Sequence, residues 1–178
     1  IKDGRIWQKP VKEIENYRAN KCHYTDKKID CYTTFDGIKG RTLDMTVELS
    51  GEDYHNFTVE MACDDEYSTA FTYNRITGML EIDRTCCGVT KDVVCIRKIK
   101  ITDTDRKLKL RFIMDRQSIE LFINDGQQVA TTAICTPLQA DGICFNCDGS
   151  AVVDIEKYDI QDILTGKKEV QYGCSCIR

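Results

Sequence analysis

The stretch RFIMDRQSIELFINDG, residues 111–126, alternates apolar and polar residues as the two arms of a β-hairpin do. Upstream, KLKLRFIMD sets Leu108, Leu110, Phe112 and Met114 on one face, while Lys107, Lys109 and Arg111 begin the other. SIELFIN pairs back across the DRQ turn, and Asn124-Asp125-Gly126 turns the chain into QQVATTAI. Asp115, Arg116 and Glu120 stand among these apolar neighbours. Paired carboxylates can do acid–base and nucleophilic work on a glycosidic bond. Alternatively, a turn aspartate accepts backbone hydrogen bonds while Arg116 pairs with a carboxylate at the end of a sheet.

Working outward, the strand pattern continues on both sides. RTLDMTVELS aligns Leu43, Met45, Val47 and Leu49, and NFTVEMAC aligns Phe57, Val59 and Met61. TAFTYNRITGMLEIDR reads as strand, turn, strand around Thr77-Gly78, followed by VVCIRKIKI, GICFNC and AVVDIEKYDI. About ten to twelve short strands at this spacing predict an all-β, two-sheet antiparallel sandwich, concanavalin-like, with a closed barrel as the alternative. One short helix precedes it, with Pro10 in its first turn and Val11, Ile14 and Tyr17 at helical spacing, roughly three turns in all. The expected organisation is a linker and helix over 1–20, the sandwich over 21–160 and a peripheral tail over 161–178.

Composition narrows the function. The 178 residues carry 25 basic and 29 acidic side chains, a formal net charge of −4 with no long basic run. A nucleic-acid backbone would call for clustered Lys and Arg, so nucleic acid is not an expected partner. No apolar run approaches the roughly 20 residues that span a bilayer, so no membrane partner is expected either. The chain opens on Ile1 rather than Met, as a piece of a longer polypeptide would.

The 11 cysteines are an odd number and fall mostly within strand-like runs, where a free thiol behaves as a small hydrophobe. That predicts a reducing, cytoplasmic location, with secretion the alternative; the Asn56-Phe57-Thr58 sequon would matter only in the secreted case. Cys144-x-x-Cys147 and Cys174-x-Cys176, with Cys86 and Cys87, could supply thiolates to a structural zinc. Against this, the second pair has unusual spacing, and the two histidines, His23 and His55, lie near neither pair; the expectation is no metal. No nucleophile elbow or phosphate loop is present. Sugar binding on an aromatic face stays open, although the single Trp7 precedes the strands.

Three segments in order resemble glycoside hydrolase family 32, the invertases, sucrose-6-phosphate hydrolases and fructanases. GRIWQKPVKEIENYR (4–18) is similar to the join between that family's two domains, and ITGMLEIDRTCCG (76–88) to a strand ending in Asp-Arg. LKLRFIMDRQSIELFINDG (108–126) resembles the most characteristic run of its C-terminal domain, and ADGICFNCDGSAVVDIEKYDI (140–160) matches the closing strands more loosely. The resemblance implies a C-terminal structural β-sandwich joined to a catalytic N-terminal five-bladed β-propeller. The parent enzyme would hydrolyse β-fructosides such as sucrose or sucrose 6-phosphate with retention and no cofactor.

The family's nucleophile, transition-state and acid/base motifs (W-M-N-D-P-N-G, R-D-P and E-C) do not occur in this sequence. No catalytic residue is therefore expected here, and this chain alone is expected to be inactive. The matched positions Gln8, Pro10, Glu13, Asp83, Arg84, Asp115, Arg116, Glu120, Asn124 and Gly126 are read as a structural signature. Replacing Arg116 by Ala is expected to cost roughly 1–3 kcal/mol if its pair is partly buried. The implied partner is the propeller; a second copy and a carbohydrate are the others considered. The rival reading is a stand-alone, lectin-like sugar-binding module.

Overall fold

A computed structural model describes residue 4 and residues 6–88, 94–102 and 107–161, apart from the side chain of residue 52. Among the described residues the strands are β1 (Arg18–Ile29), β2 (Leu43–Asp53), β3 (Asn56–Cys63), β4 (Thr69–Asn74), β5 (Met79–Asp83), β6 (Ile96–Lys100), β7 (Leu108–Asp115), β8 (Ser118–Ile123), β9 (Gln128–Ala133), β10 (Gly142–Cys147) and β11 (Ser150–Ile160). They form two antiparallel sheets, β1-β11-β2-β7-β8-β9 and β10-β3-β4-β5-β6. The architecture is the expected two-sheet sandwich.

Alternation explains the core. Leu43, Met45, Val47, Leu110, Phe112, Ile119, Leu121 and Ile123 point from the six-stranded sheet, and Phe57, Val59, Met61, Phe71, Leu80 and Ile82 from the other. Phe71 meets Phe112 edge-on across the interface, ring centroids 5.1 Å apart. Side chains close the sandwich between the edge strands: the Gln128 amide nitrogen donates to the Lys100 carbonyl at 2.8 Å, tying β9 to β6. On the opposite edge, the loop after β1 pairs with β10 through Thr33 and Phe145, which exchange backbone hydrogen bonds of 2.8 and 2.9 Å.

Two details differ from the sequence reading. The leading helix is a six-residue 3-10 helix, Lys12–Tyr17, with no buried residue, not about three α-turns. Val11 is extended and 69% exposed, so its apolar side chain joins no helical stripe. The chain then enters β1 at Arg18, a strand the sequence reading did not foresee. Polar RANKCHYTDKKI does not alternate, because register shifts follow Ala19 and Tyr24, with Asn20 and Asp26 at φ +47° and +52°. Such bulges suit an edge strand, where they discourage pairing with another chain. Cys174, Cys176 and the expected tail beyond residue 161 lie outside the described residues.

Candidate functional site

Before its first strand the chain crosses the outer face of the six-stranded sheet as a strap. It is tied at one side to the β8–β9 turn, where the Gln8 amide donates to the Gly126 carbonyl at 3.0 Å. Gly126 has φ +89°, and a Cβ there would stand 1.7 Å from the Gln8 carbonyl oxygen, so only glycine permits the tie. Asn124, also at positive φ, accepts the Lys109 amide on its side-chain oxygen at 3.1 Å and fixes the turn. At the far side of the sheet the strap ends in the 3-10 helix, whose last residue, Tyr17, accepts the Gln161 amide at 2.9 Å.

Beneath the strap lies a charge cluster. Asp44 points outward from β2, yet it is only 1% exposed. Its carboxylate accepts two hydrogen bonds from Arg18 (2.9 and 2.7 Å) and two from Arg111 (2.9 and 2.8 Å). Glu15 of the 3-10 helix stands 3.9 Å from Arg18 and 3.6 Å from Arg111. Arg18 also lies over the Tyr158 ring, 4.5 Å from its centroid. A carboxylate this buried is tolerable because both oxygens are bonded to charged donors: Oδ1 accepts from Arg111 Nε, and Oδ2 from Arg111 Nη2 and from Arg18 Nε and Nη2. The Asp44 hydrogen bonds hold Arg111 in its charged form more firmly than in water. Next to the cluster is a shallow polar depression of about 320 Å³, lined by His23, Thr25, Thr46, Glu48, Lys109 and Glu156 among others.

The signature positions divide between the ends of the sandwich. Gln8, Asn124 and Gly126 meet at the strap's tie, and Pro10 and Glu13 lie along the strap, with Glu13 exposed. Asp83, Arg84, Asp115 and Arg116 sit at the other end of the strands. Asp83 accepts the amide and hydroxyl of Thr85 at 2.8 and 2.6 Å. Arg84 is buried, and its backbone bonds to Cys95 and Cys87. Asp115 is exposed and accepts the Arg116 amide at 2.7 Å. The side chains of Arg116 and Glu120 are exposed, so the burial on which a large Arg116 contribution depends is missing.

A different arginine holds that end. Arg41 is buried, and its guanidinium donates to the Thr136 hydroxyl (2.7 Å) and to the carbonyls of Pro137 (2.7 Å), Ala140 (3.1 Å) and Arg116. It joins the β7–β8 turn to the loop between β9 and β10. Sequence reasoning missed both Arg41 and Asp44, since each reads locally as an ordinary surface charge. Cys144 and Cys147 are not neighbours in function: Cys144 contacts Cys63 and Tyr32 instead. Among the described residues no group of three or more His, Cys, Asp or Glu could hold a metal. His23 bonds to the Thr25 hydroxyl at 2.7 Å.

Residues 13–162 match the model of the glycosyl hydrolases family 32 C-terminal domain. The chain belongs to that family. A sucrose-6-phosphate hydrolase of Staphylococcus xylosus is 26% identical over 163 residues, 90% of this chain and 33% of that protein. The solved sucrose-6-phosphate hydrolase from Lactobacillus gasseri superposes with a TM-score of 0.72 at 26% identity, covering 90% of this chain and 32% of that one. The exo-inulinase of Aspergillus awamori shares the fold, with a TM-score of 0.73 at 19% identity over 88% of this chain and 32% of its own. The family 32 chain described here thus spans about a third of each of these three proteins, as a C-terminal domain of a larger protein does.

Proposed function

We propose that this chain is the structural C-terminal sandwich of a β-fructofuranosidase that hydrolyses sucrose, sucrose 6-phosphate or a related β-fructoside with retention. On this reading the chemistry resides in an N-terminal β-propeller, where one carboxylate attacks the anomeric carbon and a protonated one releases the leaving sugar. The strap carries the proposal. It is bound to the sheet at both sides, yet it turns Ile6, 76% exposed, and Val11, 69% exposed, away from the sandwich. Apolar side chains on a fastened linker suit contact with the domain that precedes them. A cytoplasmic location belongs to the same reading, the cysteine-rich strands suiting a reducing compartment.

The lectin-like alternative would use the depression beside the Asp44 cluster. Sugar sites of this kind use an open aromatic face, whereas the Tyr158 ring nearby is covered by Arg18 and by Lys21, 5.4 Å from its centroid. The test is calorimetric titration of this chain with sucrose, fructose and inulin, alongside hydrolysis assays with sucrose and sucrose 6-phosphate. Flat titrations and no turnover are expected from the chain alone, with activity restored when the propeller is joined to it. Saturable heat would overturn the scaffold reading in favour of a sugar-binding module. Turnover lost on mutation of this chain would place a catalytic group within it.

A further inference from the structure

We propose that Cys63 and Cys144 are a redox pair that closes a cross-strand disulfide between β3 and β10 when the protein meets a peroxide. The inference does not depend on the parent enzyme's activity. The two sulfurs stand 3.3 Å apart, and both cysteines are 5% exposed. Cys63 lies where β3 ends, opposite Gly142, and Cys144 lies two residues farther along β10. Their side chains meet diagonally because β3 is irregular there: Ala62 has φ +50°, and the register shifts between Gly142 and Ile143. The sulfurs need to approach by only about 1.2 Å to reach bonding distance.

The surroundings favour this pair over the sequence-adjacent one. Cys144 and Cys147 are three apart on a strand, which directs them to opposite faces. The Tyr32 phenol lies against Cys144 and donates to its sulfur at 2.7 Å. Tyr32 is itself 59% exposed and belongs to the loop after β1, so rotation of its side chain is the route by which a small oxidant would enter. The first attack falls to Cys144 because its sulfur is the one in contact with the exposed Tyr32, while burial and the Cys144 contact hold the Cys63 thiol protonated above the usual range.

The chemistry balances with one hydroperoxide. The Cys144 sulfur attacks a peroxide oxygen, the O–O bond breaks, and hydroxide leaves with the thiol proton as water. Cys144 is then a sulfenic acid. The Cys63 sulfur attacks the Cys144 sulfur and expels the hydroxyl, which takes the Cys63 proton as a second water. Two thiols lose two electrons and two protons, and one hydrogen peroxide takes them up to become two waters. A dithiol reductant reverses the bond by exchange.

The experiment treats the purified chain with hydrogen peroxide, blocks remaining thiols with N-ethylmaleimide under denaturing conditions, and maps the peptides by mass spectrometry without reduction. The expected product joins the peptides containing Cys63 and Cys144 and is 2 Da lighter than their sum. The melting midpoint should rise on oxidation and return with dithiothreitol. Cys63→Ala and Cys144→Ala should each abolish both effects, and Cys31→Ala, at an exposed thiol, should preserve them. The map of the unmodified chain decides even if a variant fails to fold. Recovery of both residues as alkylated thiols after Cys31 has been oxidised would overturn the proposal, as would their linkage to other cysteines.

Discussion

Arg41 and Arg116 illustrate how little formal charge says about structural weight. Arg116 contributes its backbone carbonyl to the end of the sandwich while its side chain is exposed. Arg41 contributes a buried guanidinium that satisfies a hydroxyl and several carbonyls at once. Replacing Arg41 by Ala leaves those acceptors desolvated and unpaired, so a loss of about 3 kcal/mol is expected. Arg116→Ala should stay within about 1 kcal/mol, the range of surface pairs. Urea titration of the two variants checks the contrast; equal losses would contradict it. Asp148 offers a pH test. Its carboxylate accepts the Asn56 amide, the His55 amide and the Asn56 side chain at 2.7, 2.9 and 2.7 Å, and these bonds hold its pKa below the ordinary 3.8. A lowered folded-state pKa means that the stabilisation is complete above the unfolded value and fades as pH falls through the folded one. Asp148→Asn should therefore be less stable than the parent at pH 7, with the gap closing in strong acid. The same bonds engage Asn56, the acceptor residue of the sequon.

Among the elements, the strap is the most exposed to a single substitution. Gly126→Ala would place a methyl group on the Gln8 carbonyl and strain the turn, at roughly 1–3 kcal/mol. The strap should then lift, and limited proteolysis should cut between Ile6 and Tyr17 faster than in the parent; an unchanged cleavage rate would show that the tie is dispensable. Legibility from sequence follows the same physics. β2, β3, β7 and β8 announce themselves because one face of each is packed, and packing enforces period-two alternation. β1 is an edge strand whose two bulges break that period, so nothing in RANKCHYTDKKI signals it. The hairpin at Asn124-Asp125-Gly126 was legible as a turn, but its partner, the Gln8 backbone, is distant in sequence and leaves no local trace. Asp44 was equally silent: its position on the outward face of β2 is ordinary, and only the overlying chain buries it. Segment order and motif spacing, by contrast, carried the family resemblance without any of these contacts.

For the molecule as a whole, β11 holds the six-stranded sheet together. It lies between β1 and β2, with Arg18 opposite Ile160 and Asp159 opposite Leu43. A chain ended before Ser150 should lose its cooperative unfolding transition, as read by calorimetry, because the central strands would then lack their neighbour; a retained sharp transition would contradict this. The same strand order sets a timetable for synthesis. β2 finds one partner, β7, within the following segments, but β1, the earliest of these strands, has no strand to pair with until β11 emerges some 130 residues later. At about 5–20 residues per second that delay is on the order of ten seconds. Throughout it the edge strand waits as an unpaired polar ribbon, and the bulges and charges that hid it from sequence analysis also keep it soluble during the wait.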